Sequence, residues 1–384
     1  MPHNRDLSRS FTALDQGSTL IAVIEMSLLS WLVAGLVPGL GRDPLTKLKP
    51  DAPLLLALLR RWRDEAHTAG RRITRIAVAY EAGRDGFWLA RWLIEQGIEC
   101  HVMHASSIAV SREHRRAKTD RLDTNMLKRA YVGWLRGETE HCRMVAVPTE
   151  AEEDARCPLR ERETLVSERT RLINRLKSAV VRFGLPTGRL GRTRSPRRLE
   201  KWLTEEGQGL PPHERARFAR GIERLRLIAS QIAQIDDALA EEAKAAEGPS
   251  ASRVRETARW KGLGFHTASL LETEIWCRNL RDRRAIARYG GITGSPDESG
   301  ARRREKGLAR AGNARVRKAM VQFAWRFLQF QPQAALAKWY QQRTEGAPKS
   351  ARKVMIVALA RKLLIALWRF ATTGVVPEGL IFAA

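Results

Sequence analysis

The sequence predicts an α/β domain followed by regions that are almost wholly helical, and three observations carry that expectation. Strand-like and helix-like segments alternate from residue 18 to about residue 147, the pattern of a sheet covered by helices. Two later segments, rich in Glu and Arg, repeat apolar residues every seven positions on either side of a loop-rich stretch, which suits an antiparallel coiled-coil arm. Beyond residue 250 the chain is basic and helix-like, with glycine-rich turns.

Each element follows in order. Residues 1–17 show little pattern, Leu20–Ile24 reads as a buried strand, and Ser30–Val37 reads as a second one closed by Pro38-Gly39. Between Ser18 and Leu40 the only charge is Glu25, so a hydropathy window flags the stretch. Gly35, Pro38, Gly39 and the β-branched residues at its start fit two strands of a hairpin better than a membrane helix. Pro53–Ala69 carries Leu55, Leu58, Leu59 and Trp62 at helical spacing and is stopped by Gly70. Ile73–Ala79 reads as a strand, Gly86–Gln96 as a helix ended by Gly97, Ile98–Met103 as a strand and Lys118–Leu135 as a helix. Trp31, Trp88, Trp92 and Trp134 fall within these elements and read as core.

After Pro148 the character changes. In Glu161–Phe183, Leu165, Leu172 and Ala179 stand on one seven-residue repeat, with Leu176 and Phe183 on another; in Ile222–Ala246, Leu225, Ile232 and Leu239 do the same. The prolines, glycines and arginines between Gly184 and His213 predict an irregular linker. Gly248-Pro249-Ser250 marks a boundary before a basic helical segment, and Lys349–Thr373 reads as a last helix. Arg361 and Lys362 in its middle argue for packing rather than membrane insertion. The expected domains are thus 18–147, 150–247, 251–345 and 346–384.

Charge points to a polyanionic partner. The chain has 68 Lys+Arg against 42 Asp+Glu, a net of +26. Nucleic acid is the first candidate, because neutralising phosphates releases condensed counterions. Cys100, Cys142, Cys157 and Cys277 form no CxxC pair, which argues against a zinc site, and they suit a reducing cytoplasm. No basic leader with a cleavage site precedes them, so the expectation is a cytoplasmic, nucleoid-associated protein without a membrane segment.

Four acids stand at notable places. Glu25 follows the first strand, Glu81 follows the strand Ile73–Ala79, and Asp120 and Asp123 open a helix, three apart and so on one face. Carboxylates gathered there would bind Mg²⁺, which suits phosphate chemistry. The plainer reading is of surface acids, with the aspartates favouring a helix N-terminus. Glu25, a lone charge in an apolar run, must take a proton, find a partner or bind a metal if it is buried.

Farther on, Ser299 lies in Ser295-Pro296-Asp297-Glu298-Ser299-Gly300, before Arg302, Arg303, Arg304, Lys306 and Arg310. Gly300 would let backbone approach a phosphate, and arginine forks match phosphate oxygens. From the residues alone such a serine is more often a turn residue in a polar loop. Arg315, Arg317 and Lys318 extend the basic run, opposed only by Glu305. The two glycines of Lys261-Gly262-Leu263-Gly264, before a helix, resemble a helix-hairpin-helix phosphate contact and equally a simple tight turn. Lys118, beside the aspartates, joins this set of candidate nucleic-acid contacts.

Glu81-Ala82-Gly83, the block Arg115-Arg116-Ala117-Lys118-Thr119-Asp120-Arg121-Leu122-Asp123, Tyr289-Gly290-Gly291, Ser299-Gly300 and Gly312-Asn313-Ala314-Arg315-Val316-Arg317 occur in that order. Together they resemble the DEDD insertion-sequence transposases over nearly the whole chain past residue 18. The resemblance implies an N-terminal RNase H-like (RuvC-like) domain, a C-terminal serine-bearing transposase domain and guidance by a bridge RNA. Residue by residue, it makes Glu25, Glu81, Asp120 and Asp123 the catalytic acids that hold Mg²⁺ or Mn²⁺. It makes Ser299 the nucleophile that links covalently to DNA, completed by the acids of another protomer in a dimer or tetramer. The family's usual Asp at the first acid is Glu25 here. Two other classes remain: a RuvC-like junction nuclease that uses the acids and water, and a non-catalytic nucleic-acid-binding protein descended from a transposase.

Overall fold

The computed structural model describes residues 10, 12–83, 86–108, 120–138, 141–185, 195–278, 280, 282–299, 302–309 and 311–383. They fall into two compact units, Met1–Ala151 and Glu152–Ala384.

The first unit is built on a six-stranded sheet of order β3-β2-β1-β4-β5-β6. β1 (Thr19–Met26) and β2 (Trp31–Leu36) form the antiparallel hairpin that the sequence predicts, and β3 (Leu45–Leu48) extends it. α1 (Ala52–Thr68) returns the chain to β4 (Arg75–Glu81), which runs parallel to β1. α2 (Trp88–Glu95) leads to β5 (Glu99–Met103), parallel to β4. α3 (Asp120–Leu135) follows, and β6 (Met144–Val145) closes the edge antiparallel to β5. The Asp51 carboxylate accepts the Leu54 N–H at 2.8 Å and starts α1. Gly70 and Gly97, at φ +74° and +73°, stop α1 and α2 as predicted.

Successive strand residues face opposite sides, and here both sides are covered. Leu20, Ala22, Ile24, Val78 and Tyr80 pack with Leu55, Leu59 and Trp62 of α1 and Leu89 and Leu93 of α2. Ile21, Val23, Ala77 and Ala79 pack with Leu127, Tyr131 and Trp134 of α3. Two sequence readings need correcting. β3 was not expected: its four residues alternate between exposed and half-buried at the sheet edge and are too few to show a period. Trp88 is 44 % exposed instead of core, because it opens α2 with one face against Trp31 (centroids 6.1 Å apart) and the other in solvent.

A short helix, α4 (Glu150–Asp154), spans the division between the units. In the second unit α5 (Cys157–Arg182) and α7 (Pro212–Ala245) run antiparallel, for Arg162 meets Asp236 at 2.6 Å and Arg182 meets Glu214 at 2.8 Å. Leu165, Leu172, Leu176, Ala179, Leu225, Ile232 and Leu239, the heptad positions, are buried. Phe183 is not: it lies one residue past the end of α5, 38 % exposed, with the Arg182 guanidinium over its ring. The predicted linker also holds a helix, α6 (Pro196–Glu205), whose Leu199, Trp202 and Leu203 pack on Phe218 and Ile222 of α7. Residues 186–194 lie outside the described part.

The chain continues through α8 (Pro249–Ala258), α9 (Phe265–Leu271), a π-helical turn Glu272–Trp276, α10 (Arg283–Tyr289), a hairpin of β7 (Gly294–Ser299) and β8 (Arg302–Leu308), α11 (Ala314–Phe330), α12 (Ala335–Thr344) and α13 (Lys349–Thr373). One core unites them: Trp260, Phe323 and Phe327 pack with Leu363, Leu364 and Leu367 of the last helix. Among the described residues no helix is long and apolar enough to cross a membrane.

Two expectations follow for the first unit. A Cβ at Gly35 would stand 2.7 Å from the Trp62 ring, so Gly35→Ala costs about 1–3 kcal/mol by overpacking; an unchanged denaturant midpoint would refute this. Burial lowers the His101 imidazole from its ordinary 6.5 to about 4, against the pull of Glu99 and with that of Arg75. The unfolded chain therefore takes up a proton that the folded chain refuses, and stability falls as pH drops from 6.5 toward 4. The loss is about 2 kcal/mol by pH 5, and His101→Phe flattens that part of the stability–pH curve.

Candidate functional site

The sheet decides where the acids stand. Met26 and Ala82 pack with the α1/α2 side, so Glu25 and Glu81, one residue before each, belong to the opposite face. That face is the one α3 covers. The β1–β4 register pairs Ile24 with Tyr80; one further step sets Glu25 beside Glu81, on neighbouring parallel strands about 4.8 Å apart. Glu25 is half-buried and Glu81 exposed. Asp123 sits half-buried in the first turn of α3, next to the fully buried Thr124 and in line with Leu127 and Tyr131, which face the sheet. The Tyr131 hydroxyl lies 2.8 Å from His101 Nδ1 and donates to the Val78 carbonyl at 3.3 Å, fixing the helix on this face.

Glu25, Glu81 and Asp123 thus share one face of the unit. Among the described residues, no three His, Cys, Asp or Glu side chains close on a single point. Asp120 is the first residue of α3, but its side chain and that of Arg121 lie outside the described part, as do Lys118 and the rest of residues 115–119. Carboxylates such as those of Glu25, Glu81 and Asp123 are the donor chemistry that a hard divalent cation takes.

The serine lies in the second unit, and its surroundings differ from the loop that the sequence suggests. Ser299 ends β7 and pairs with Arg302; Glu298 pairs with Arg303 and Asp297 with Arg304. The register thus sets two acidic positions opposite two basic ones along the backbone of the hairpin. The side chains of Ser299, Arg302, Arg303, Arg304 and Lys306, and the whole of Arg310 and Gly300, lie outside the described part.

Most of the base of the hairpin is described. Ala309 N–H donates to the Thr293 carbonyl at 2.9 Å, and Asn313 N–H to the Tyr289 carbonyl at 2.7 Å. Gly291 (φ +65°) and Gly312 (φ +87°) meet back to back: a Cβ on Gly312 would stand 2.6 Å from Gly291 N and 2.5 Å from the Arg288 carbonyl. The spacing of Tyr289-Gly290-Gly291 and Gly312-Asn313 is thereby explained as a close approach of two turns. Arg317 Nη1 donates to the carbonyls of Gly291 and Ala311, both at 3.3 Å. Arg315 and Lys318 reach Glu163 of α5 at 3.0 and 2.8 Å. Burial raises the Glu163 carboxyl, but Lys318 and Arg315 outweigh it and hold it below the ordinary value. Arg315, Arg317 and Lys318 therefore all have partners within the unit, which their sequence neighbours do not reveal.

The Gly262–Gly264 turn has positive φ at both glycines, +95° and +80°. A Cβ on Gly262 would meet the Phe330 ring at 3.1 Å, and Arg326 Nη2 donates to the Leu263 carbonyl at 3.3 Å. The turn is seated on the end of α11.

Sequence reasoning missed two buried acids. Glu272 and Glu274, 8 % and 3 % exposed, lie in the π-helical turn, a distortion frequent at functional sites. Arg253 grips Glu272 with two hydrogen bonds of 2.5 and 3.1 Å. Glu274 accepts from Arg160 Nη2 at 2.9 Å and from Asn313 Nδ2 at 3.0 Å. The available signal was two charges within the apolar run Leu270-Leu271-Glu272-Thr273-Glu274-Ile275-Trp276.

Comparison with known proteins gives this arrangement its context. Residues 46–184 match the model of the DEDD transposases of the IS110 type, and residues 256–340 match that of the transposase IS116/IS110/IS902 family. A chain of Sinorhizobium fredii (strain NBRC 101917 / NGR234) named as a candidate transposase, y4rJ, is 36 % identical over 379 residues, 96 % of this chain and 95 % of that one. A second candidate transposase of the same strain, y4qE, is 26 % identical over 285 residues, 73 % of this chain and 65 % of that one. The described β1–β6 sheet and the Ser299 hairpin thus sit in a chain that belongs to the IS116/IS110/IS902 family of DEDD transposases, a family whose substrate is DNA and whose type implies a divalent metal.

Proposed function

We propose that this protein is the RNA-guided recombinase of an insertion sequence, cutting and rejoining DNA through a covalent link to Ser299. The observation that carries the reading is the hairpin that ends on Ser299, set opposite Arg302, in a chain similar along nearly its whole length to a named transposase. Arginine forks beside the reacting phosphate stabilise the charge that builds on its oxygens. In the exchange, the Ser299 oxygen forms a bond to phosphorus and one deoxyribose oxygen is released. The released oxygen takes up the proton that the serine gives away. The phosphodiester energy is kept in the phosphoserine bond, so a second DNA end can reverse the step without hydrolysis.

Glu25, Glu81, Asp120 and Asp123 are the residues that would hold Mg²⁺. Bound there, Mg²⁺ supplies positive charge to phosphate oxygens. What supports an RNase H-like assignment for the first unit is its strand order: a three-stranded antiparallel meander joined through β1 to two parallel strands, with helices on both faces. Guidance by RNA rests on the family resemblance and on the net charge of +26. The antiparallel α5/α7 pair offers a coiled-coil surface on which protomers would assemble into a dimer or tetramer.

Denaturing electrophoresis of the full chain with its element-encoded RNA, Mg²⁺ and labelled target DNA tests the reading. The expected result is label on the protein, abolished in Ser299→Ala and reduced at least about 100-fold in Asp120→Ala. Free cleaved DNA that survives Ser299→Ala would replace this reading with a water-using nuclease, and no product in wild type would leave a binding protein.

A further inference from the structure

We infer that Glu274 and Asn313 are positioning residues, a polar clasp that fixes the base of the hairpin carrying Ser299 and ties it to α5. The inference rests on the proposed role of Ser299 for its functional consequence, and on the geometry of the second unit for the clasp itself.

Asn313 performs two tasks at once. Its Oδ1 accepts the N–H groups of Arg315 and Val316 at 3.0 and 3.3 Å and so starts α11. Its Nδ2 donates to Glu274 Oε2 at 3.0 Å. Only a side chain with both an acceptor and a donor can do this; aspartate would keep the cap and set a second carboxylate against Glu274. Its backbone N–H holds the Tyr289 carbonyl. Tyr289, ahead of β7, and Asn313, after β8, are thus held together at the base of the hairpin. Glu274 is 3 % exposed and anchored on its other oxygen by Arg160 of α5. A buried carboxylate with two charge-assisted or amide donors is rigid, because loosening either partner leaves charge without compensation. Stability alone does not call for this arrangement, since an apolar contact would seal the same space. What the clasp adds is a fixed direction for the strand that ends on Ser299.

The chemistry provides a reversal test that combines Glu274→Gln with Asn313→Asp. In that double variant the carboxylate introduced in place of Asn313 still caps α11. The amide introduced in place of Glu274 still offers a carbonyl oxygen to Arg160, and its N–H₂ group donates the hydrogen bond in the reverse direction. Either single change breaks the bond: Asn313→Asp opposes two carboxylates, and Glu274→Gln opposes two amide N–H₂ groups, since Asn313 cannot flip without losing its cap.

Two readouts on the full chain decide the matter: hydrogen exchange of backbone amides in residues 294–309, and the rate of protein–DNA adduct formation at saturating DNA. For Asn313→Asp we expect faster hairpin exchange, an adduct rate lower by about 100-fold and DNA affinity within about 2-fold of wild type, all returning to within about 5-fold in the double variant. Glu274→Gln gives the same loss and serves if Asn313→Asp does not fold. Unchanged hairpin exchange in both single variants would overturn the clasp. Faster exchange with an unchanged adduct rate, or no recovery in the double variant, would overturn its positioning role. Wild type that forms no adduct would refute the Ser299 chemistry, and that role with it, while exchange still judges the clasp.

Discussion

Burial of β1 and β4 on both faces is the constraint from which the first unit follows. Leu20 to Ile24 and Ala77 to Tyr80 are all essentially inaccessible to solvent, and an unpaired carboxylate among them would cost more than the unit could offset. Charge can enter these strands only at their ends. Glu25 and Glu81 occupy those ends, on the face that α3 covers. The apolar lattice thus does more than stabilise the unit. It leaves the two carboxylates at the strand ends, each one residue past the Ile24–Tyr80 register pair.

The second unit solves a different problem. The hairpin carries Asp297, Glu298 and three arginines in sequence, and the described bonds that hold it lie at its base. The close approach of Gly291 and Gly312 needs the absence of side chains, and the buried Glu274 supplies a charge for Asn313 and Arg160 to satisfy. This transposase holds its four acids and its serine in separate compact units, each positioned by its own local physics.

How much of this was legible in the sequence depended on period and on distance along the chain. The β1–β2 hairpin, α1, β4, α2 and β5 were readable because each keeps a clear period over at least five residues and ends at glycine, a loop or a strand boundary. β3 was not, being four residues at an edge. α6 was hidden because Pro196, Arg197 and Arg198 look like linker, although Leu199, Trp202 and Leu203 mark one face. β7 and β8 show no alternation of apolar and polar residues, so the polar run around Ser299 read as a loop. Asp120 and Asp123 could be given a common helix face from spacing alone. That Glu25 and Glu81 share a face and a level needed the register of β1 on β4. Glu274 stood out only as a charge in an apolar run, and its partners were beyond reach, for Arg160 and Asn313 lie 114 and 39 residues away.

We propose that Glu25 and Glu81, which follow the Ile24–Tyr80 register pair on neighbouring strands, share one cation. Electron paramagnetic resonance titration of the full chain with Mn²⁺ tests it directly, comparing wild type with Glu25→Gln and Glu81→Gln. The expected result is saturable Mn²⁺ binding that weakens by at least about 10-fold in each variant, as loss of a ligand carboxylate requires, with both folds intact by circular dichroism. Equal affinity in wild type and both variants would contradict it.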